Sequence, residues 1–400
     1  MQALLNWPRV RKFFMTVHLW LGLSSGLVVI AICLSGTIYV WNTELTEWSA
    51  PQLYTVNVPA GAPRIPADSL KQKVSSTTGG MVTAVTIPAS DARTYQFQVK
   101  KKGDSTRGVT YYVNPYTGEI TGNSLQKTRT QKFMSTMFSL HRWLLLDKLG
   151  NRELGSAITG SATIIFTLGC ITGLIIWFPR KLRNWKQGLK IKFNSNWKRL
   201  NHDLHNTLAF YALFFLLLMG LTGPQWSFPW YREGLQKTLG TYKPPAPKGG
   251  DKKEKKKDKA EVALLSIGEY KTVADGVLSY NGDYVITFPS ENSSSVMVSK
   301  YKLGFFAPAA ADRLTLDAAT ASVQKTDIFW NKPFNERVAG SIKAIHVGNV
   351  YGTFTKIIYF VACLIATTLP ITGTMIWLNK LKQRRRKKVV DRKEVELVSA

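Results

Sequence analysis

The sequence predicts an α-helical membrane protein with four transmembrane helices in two tandem repeats, plus two small α+β modules outside the cytoplasm. Three observations predict this fold: four long stretches without charge, a motif that recurs at their ends, and two alternating segments between them. Each stretch exceeds the roughly 20 apolar residues that cross the bilayer hydrocarbon as a helix. The stretches are residues 13–43, 155–179, 204–231 and 357–379.

Basic residues are concentrated in the short segments at one end of these helices. Residues 9–12 hold three, residues 180–199 hold eight and no acid, and the tail after the fourth helix holds nine against three acids. Short cytoplasmic segments are rich in Lys and Arg, so both termini and the middle loop are predicted to face the cytoplasm. These segments carry +17 of the net charge of +28. The basic composition therefore reflects topology, and without a base-reading motif no nucleic-acid partner is expected.

The ends of the four apolar stretches share a hydroxyl residue followed by glycine. His18 lies 18 residues before Gly36, and His205 lies 18 residues before Gly223. This common offset indicates a duplicated unit. The four motifs are Leu34-Ser35-Gly36, Ile171-Thr172-Gly173, Leu221-Thr222-Gly223 and Ile371-Thr372-Gly373.

The segments between the paired helices alternate in the manner of β-strands. The first combines a helical stretch at 66–74 with strands at 82–87, 94–99 and 109–113, and the second has strands at 284–288, 295–298 and 313–316. The Lys-rich stretch 248–259 is expected to be a solvated loop, with a docking surface for an anionic partner as the alternative. The predicted units are 1–43 (N-terminus and first helix), 44–154 (first module), 155–179 (second helix), 180–203 (basic loop), 204–231 (third helix), 232–355 (second module, with the Lys-rich stretch 248–259), 356–379 (fourth helix) and 380–400 (basic tail).

Several local motifs resemble the PepSY-associated transmembrane family, over nearly the whole chain. They are Tyr111-Tyr112-Val113-Asn114-Pro115-Tyr116-Thr117-Gly118-Glu119, Leu140-His141-Arg142-Trp143-Leu144, Ile171-Thr172-Gly173 with Trp177-Phe178-Pro179-Arg180, and Leu204-His205. Within that family the chain is most similar to FoxB-type inner-membrane ferrisiderophore reductases. The resemblance implies a bacterial inner-membrane protein with PepSY-like periplasmic modules. It also implies a ferric siderophore as partner, whose iron is released after reduction to Fe(II).

Four of the five histidines are arranged as two pairs by the repeat. His18 and His205 open the first and third helices at the cytoplasmic face, and His141 and His346 come shortly before the second and fourth helices. Two imidazoles can fill both axial positions of a b-type haem, which then carries electrons rather than substrate. Together with the resemblance, this predicts two b-type haems, one held by each pair. Zinc is disfavoured because neither pair has a carboxylate or cysteine partner.

Other residues have both a functional and a plainer interpretation. His202, three residues before His205, is an alternative ligand, and Arg142 is either a haem propionate partner or an ordinary interfacial arginine. Small residues near the histidines leave room for a macrocycle or pack helices together. Aromatic residues at the outer helix ends line an acceptor site or form an interfacial belt. These two sets are Gly22, Gly26, Ala209, Ala212, Gly348 and Gly352, and Trp226, Phe228, Trp230 and Tyr231.

The sequence therefore favours a di-haem electron carrier that reduces a periplasmic acceptor. With no G-x-G-x-x-G fingerprint, the electrons must come from a cytoplasmic partner or a quinol. A second hypothesis is a non-redox, membrane-anchored binding or regulatory protein. A transporter is disfavoured because no charge lies in mid-span. Cys33, Cys170 and Cys363 lie in apolar stretches without a CxxC motif, which indicates packing residues rather than disulfides or covalently attached haem.

Overall fold

A computed structural model describes residues 7–101, 103, 108–179, 182–244, 264–289 and 293–398; the Lys-rich stretch 248–259 lies outside these ranges. Four helices in the described part are long and apolar enough to cross a membrane, as predicted. They are Trp7–Tyr39, Arg152–Trp177, Trp197–Trp226 and Gly352–Arg386.

The helices and strands alternate in blocks along the chain. The helices are α1 (Trp7–Tyr39), α2 (Asn42–Ser49), α3 (Pro51–Tyr54), α4 (Ala67–Thr78), α5 (Arg129–Trp143), α6 (Arg152–Trp177), α7 (Trp197–Asp203), α8 (Ala209–Thr222), α9 (Pro229–Thr238), α10 (Ile267–Val277), α11 (Phe334–Val347) and α12 (Gly352–Val398). The strands are β1 (Met81–Ile87), β2 (Tyr95–Lys100), β3 (Val109–Val113), β4 (Ile120–Asn123), β5 (Gly282–Thr287), β6 (Ser295–Lys302), β7 (Asp312–Asp317) and β8 (Val323–Asp327).

The spanning helices do not begin and end at the same residues as the apolar stretches of the sequence. The third begins at Trp197 rather than at residue 204, because the side chain of Asn196 caps it by accepting a hydrogen bond from the amide of Arg199. Such a cap satisfies one of the unpaired amides of the first turn. The fourth continues beyond residue 379 to Val398, where Lys, Gln and Arg favour helix. Charge-free length thus locates the spans but not their ends.

The four spanning helices form a bundle in which α1 packs along both α6 and α12, and α8 packs against α6 and α12. Its centre is filled by small and medium apolar residues, including Ala212, Leu216, Ala362, Ala366 and Leu369. Gly26 lets α1 approach the proline of α12 closely, since a Cβ there would lie 3.1 Å from Pro370 Cβ. This glycine therefore serves helix packing.

The two extramembrane segments form one continuous sheet rather than two separate modules. The strand order is β4-β3-β2-β1-β5-β6-β7-β8, and every neighbouring pair is antiparallel. β1 and β5 join the segments, with Val85 opposite Ile286. One apolar core, which includes Phe97 and Leu314, runs through both halves. The predicted strands are present, and the sequence analysis missed β4 and β8, which are short and partly exposed.

Two helices that the sequence analysis did not identify follow the strands of each half and pack on the spanning helices. Thr128 and Gln131 form a reciprocal capping box at the start of α5, which is a strong start signal. That helix is followed by Leu144 and Leu145, both with positive φ, a backbone region that leucine seldom adopts. α11 ends instead at Gly348, for which positive φ is unstrained. α5 and α11 carry His141 and His346.

Candidate functional site

The structure brings the rings of His18 and His205 together between α1 and the third spanning helix. Their ring centres are 6.3 Å apart and their planes are inclined by 79°. His205 lies in a single π-helical turn, Leu204–Leu208, between α7 and α8. Such turns insert one residue into a helix and are frequent at functional sites. We call His18 and His205 the first pair.

His141 and His346 form an equivalent second pair. Their ring centres are 6.1 Å apart and their planes are inclined by 61°. The indole ring of Trp226 packs against His346 at 5.0 Å between ring centres. The structure therefore brings together the same two pairs of histidines that the repeat offset associates.

Each of the four rings packs on the glycine of a hydroxyl–glycine motif in another helix. A Cβ added at any of these four glycines would lie 3.1–3.3 Å from Cε1 of one histidine, so a larger residue there would crowd the ring. These contacts join His18 to Gly173, His141 to Gly36, His205 to Gly373 and His346 to Gly223. The motif that marks the repeat is thus part of the site, a role that the sequence analysis missed.

The hydrogen bonds at Nδ1 determine the tautomer of the rings. Nδ1 of His18 lies 3.0 Å from the carbonyl of Gly169 and 3.1 Å from Thr172 Oγ1. The Thr172 hydroxyl donates its own proton within its helix. Both groups can then only accept, so Nδ1 carries the hydrogen.

The other three rings follow the same rule. His141 Nδ1 lies 2.9 Å from the carbonyl of Ile32. His205 Nδ1 lies 2.9 Å from Thr372 Oγ1, and His346 Nδ1 lies 3.0 Å from Thr222 Oγ1. Both threonine hydroxyls donate to carbonyls of their own helices. Nε2 of each histidine is therefore the nitrogen with a free lone pair, as a metal ligand requires.

A cavity of about 400 Å³ adjoins the first pair. Its lining includes both rings, with Gly22, Gly173 and Ala209. Gly22 and Ala209 are thus part of the cavity wall, and Ala209 also packs against the core of the bundle. The remaining small residues do not line the cavity: Gly26 packs on α12, Ala212 is in the bundle core, and Gly348 and Gly352 have positive φ at the junction of α11 and α12.

Arg11 also lines this cavity, seven residues before His18 on the same face of α1. Its Nη2 donates to the carbonyl of Ile176 at 3.1 Å. Its Nε is buried and has no hydrogen-bond partner in the part of the chain that the structure describes. Unpaired buried donors are rare in native proteins. Arg11 is a site residue that the sequence analysis counted only as a topology signal.

The two secondary candidates occupy different environments. The side chain of His202 is 53% exposed and contacts Asp203, 3.5 Å from its Nδ1; it reaches the cavity lining, but His205 faces His18. Arg142 lies beside the second pair, where its Nη2 donates to the carbonyl of Trp226 at 3.3 Å. Trp226 is the member of the predicted aromatic set that touches a paired histidine.

Burial lowers the pKa of both rings of the second pair, which favours neutral imidazoles. Burial is the largest cause and lowers the pKa of His346 to about 3, and His141 adds to the shift. Burial likewise lowers the pKa of His141, opposed by the Ile32 carbonyl and assisted by Arg142. Loss of the ring proton leaves Nε2 available as a ligand.

No curated protein sequence matches this chain. The sequence model of the PepSY-associated TM region matches residues 15–380. That range includes the second and third spanning helices, most of the first and fourth, the sheet and both histidine pairs. With this match over most of its length, the chain belongs to the PepSY-associated TM family of membrane proteins.

Proposed function

We propose that this protein carries electrons across a bacterial inner membrane through two b-type haems and reduces an acceptor in the periplasm, the Fe(III) of a ferric siderophore. The observation that supports this function is the presence of two facing imidazole pairs, each with Nδ1 bonded to a neighbouring helix. One electron converts each Fe(III) to Fe(II), which siderophores bind weakly and release.

The residues of each pair fit a haem. Imidazole nitrogens bind transition metals at about 2 Å, so two rings on opposite sides of one ion have centres about 6 Å apart. The observed distances are 6.3 and 6.1 Å. Among the described residues, no group of three or more His, Cys, Asp or Glu can hold a metal ion. A two-histidine site therefore needs further ligands from a macrocycle.

Arg11 supports the same assignment at the first pair. Its unpaired Nε and the cavity beside it suit a haem propionate, because guanidinium groups bind carboxylates strongly. A bound haem supplies a one-electron Fe(III)/Fe(II) couple, with a potential tuned by its axial ligands and their hydrogen bonds. The chain's own contribution is to hold the four rings in one tautomer and to fix their orientation.

The two pairs lie at opposite ends of the bundle. From His18 to the turn of α1 between Ile32 and Gly36, which contacts His141, the helix rises roughly 21–27 Å at 1.5 Å per residue. The apolar cluster of the bundle, with Cys33, Phe166 and Phe215 at its margin, fills the space between. Such packing excludes water and ions while electrons pass.

The positive-inside pattern of the short segments supports an orientation of the protein in the membrane, and with it a direction of electron transfer. The first pair faces the cytoplasmic side, where a quinol or cytoplasmic reductant donates; a quinol supplies two electrons and releases two protons. The second pair faces the periplasm, where the two repeats combine their PepSY-like segments into one sheet. The acceptor docks on that side.

Spectroscopy of the purified full-length protein tests the proposal. A dithionite-reduced spectrum should contain split α-bands of bis-histidine haem, with about two haems per chain. His18→Ala and His346→Ala should each remove about half, whereas His202→Ala should retain both. A haem-free protein, or His variants with unchanged haem content, would refute the assignment and favour a non-redox binding role.

A further inference from the structure

Three neighbouring arginines form a group that adjoins the second histidine pair through Arg142. Arg142 Nη2 donates to the carbonyl of Trp226 at 3.3 Å, and Arg232 Nε donates to the preceding carbonyl, that of Gln225, at 3.1 Å. The guanidinium of Arg152 stacks 4.1 Å from the ring centre of Trp143, and that of Arg142 lies 5.8 Å from the same ring. The three positive charges are thus neighbours, and we call them the arginine cluster.

The arginine cluster has no counter-charge among the described residues, where no carboxylate lies within 4 Å of its members. By contrast, two buried lysines of the fold pair with carboxylates: Lys300 with Asp275, and Lys356 with Glu44. Arg142 is half-buried, and the like charges of Arg152 and Arg232 are close enough to repel it. A half-buried cation beside like charges is electrostatically unfavourable unless an anion neutralises it.

The arginine cluster is rigidly tied to the histidines. Arg142 follows His141 in α5, and the Thr159 hydroxyl of α6 donates to the Arg142 carbonyl at 3.0 Å. Trp226, whose carbonyl anchors Arg142, packs its ring on His346. In the second half of the chain the residue after the paired histidine is Val347, so the positive charge is confined to one side of the pair.

We propose that Arg142, Arg152 and Arg232 bind a carboxylate-bearing anion beside the second histidine pair. Guanidinium forks bind carboxylates through two parallel hydrogen bonds, which suits this anion over a point charge. The inference rests on the proposed function, which suggests two sources of the anion. One is a haem propionate, and the other is the carboxylates of an anionic ferric chelate. Arg142 lies beside the rings, and Arg152 and Arg232 are exposed to solvent.

Binding of gallium(III) citrate tests the chelate source, since gallium(III) has the charge of ferric iron but is not reduced. Isothermal titration on the detergent-solubilised full-length protein compares the wild type with Arg142→Gln, Arg152→Gln and Arg232→Gln. We expect each change to weaken binding several-fold, and all three together more than tenfold. Arg313→Gln, an exposed arginine on β7, is the matched control and should bind like wild type.

Haem content and redox titration of the same variants test the propionate source. Loss of positive charge favours the oxidised form, so we expect the midpoint potential of one haem to fall, by about 59 mV for a tenfold change in a one-electron equilibrium. Arg142→Lys keeps the charge but loses the fork, and guards against misfolding of Arg142→Gln. Weaker gallium citrate binding identifies the chelate; a shifted potential or lost haem with unchanged citrate binding identifies the propionate.

If neither readout moves, the arginine cluster is not an anion site. The proposed function fails by a different result, absence of the haem spectrum from the wild type. The gallium titration does not need haem, so it still decides whether the arginine cluster binds a carboxylate anion.

Discussion

The hydrogen bond from His205 to Thr372 gives a direct test of the role of the hydroxyl–glycine pairs. Nδ1 lies 2.9 Å from Thr372 Oγ1, and the carbonyl of Leu369 accepts from the same ring. Thr372→Val keeps the shape of the side chain and removes only the hydroxyl. The ring keeps one acceptor of two, so its tautomer preference is weakened but not abolished.

The expected magnitude follows from the bond removed. One neutral hydrogen bond contributes about 1 kcal/mol, or about fivefold in haem affinity at this site, because 1.4 kcal/mol is tenfold. A less strongly bonded Nδ1–H makes the imidazole a weaker donor to Fe(III). The midpoint potential of that haem should therefore rise, by at most about 40 mV for one electron.

The assay compares haem retention and midpoint potential of Thr372→Val with those of Thr368→Val. Thr368 lies one turn earlier on α12, is exposed, and bonds only to the carbonyl of Ile365 in its own helix. The control removes the same hydroxyl without touching a histidine. If the two variants behave alike, the hydroxyl of Thr372 does not orient the ligand, and the reasoning about the tautomer is wrong.

Four further outcomes are expected. Gly373→Ala should lower the haem occupancy of the first histidine pair, because the added Cβ would lie 3.2 Å from His205 Cε1. Gly340→Ala is the control and should leave the haem occupancy unchanged, because its Cβ would have no neighbour within 4 Å. Asp275→Asn should lower the free energy of unfolding by about 1–3 kcal/mol, because Lys300, which is 2% exposed, loses its carboxylate partner. Denaturant unfolding measures this change, and an unchanged unfolding midpoint would contradict it. Burial raises the pKa of Asp275, but hydrogen bonds from lysines and a tyrosine outweigh this effect and hold the pKa at about 2. The stabilisation of the fold by this carboxylate is therefore complete above about pH 4 and is lost as the pH falls through 2. Acid unfolding of the wild type and of Asp275→Asn would measure this loss. Ring planes inclined by 79° and 61° should give low-spin ferric haem signals with a large maximum g value by electron paramagnetic resonance; only signals of the parallel-ring type would contradict the geometry.

The sequence analysis predicted those features that depend on local composition or on the repeat. Charge-free length located all four spans, and the common 18-residue offset associated His18 with His205. The β1–β5 ladder was beyond its reach, because it joins strands about 200 residues apart and nothing in either strand specifies its partner. The π turn at Leu204–Leu208 was equally out of reach, since no residue type requires it.

The single sheet and the shared histidine pairs mean that neither half of the chain is complete. Each pair takes one ring from each half, and β1 and β5 meet at the middle of the sheet. This is how the subunits of a two-fold symmetric dimer share an interface. Joining the halves covalently removes the requirement that they be identical. Arg142 can therefore stand beside His141 while Val347 occupies the matching place beside His346.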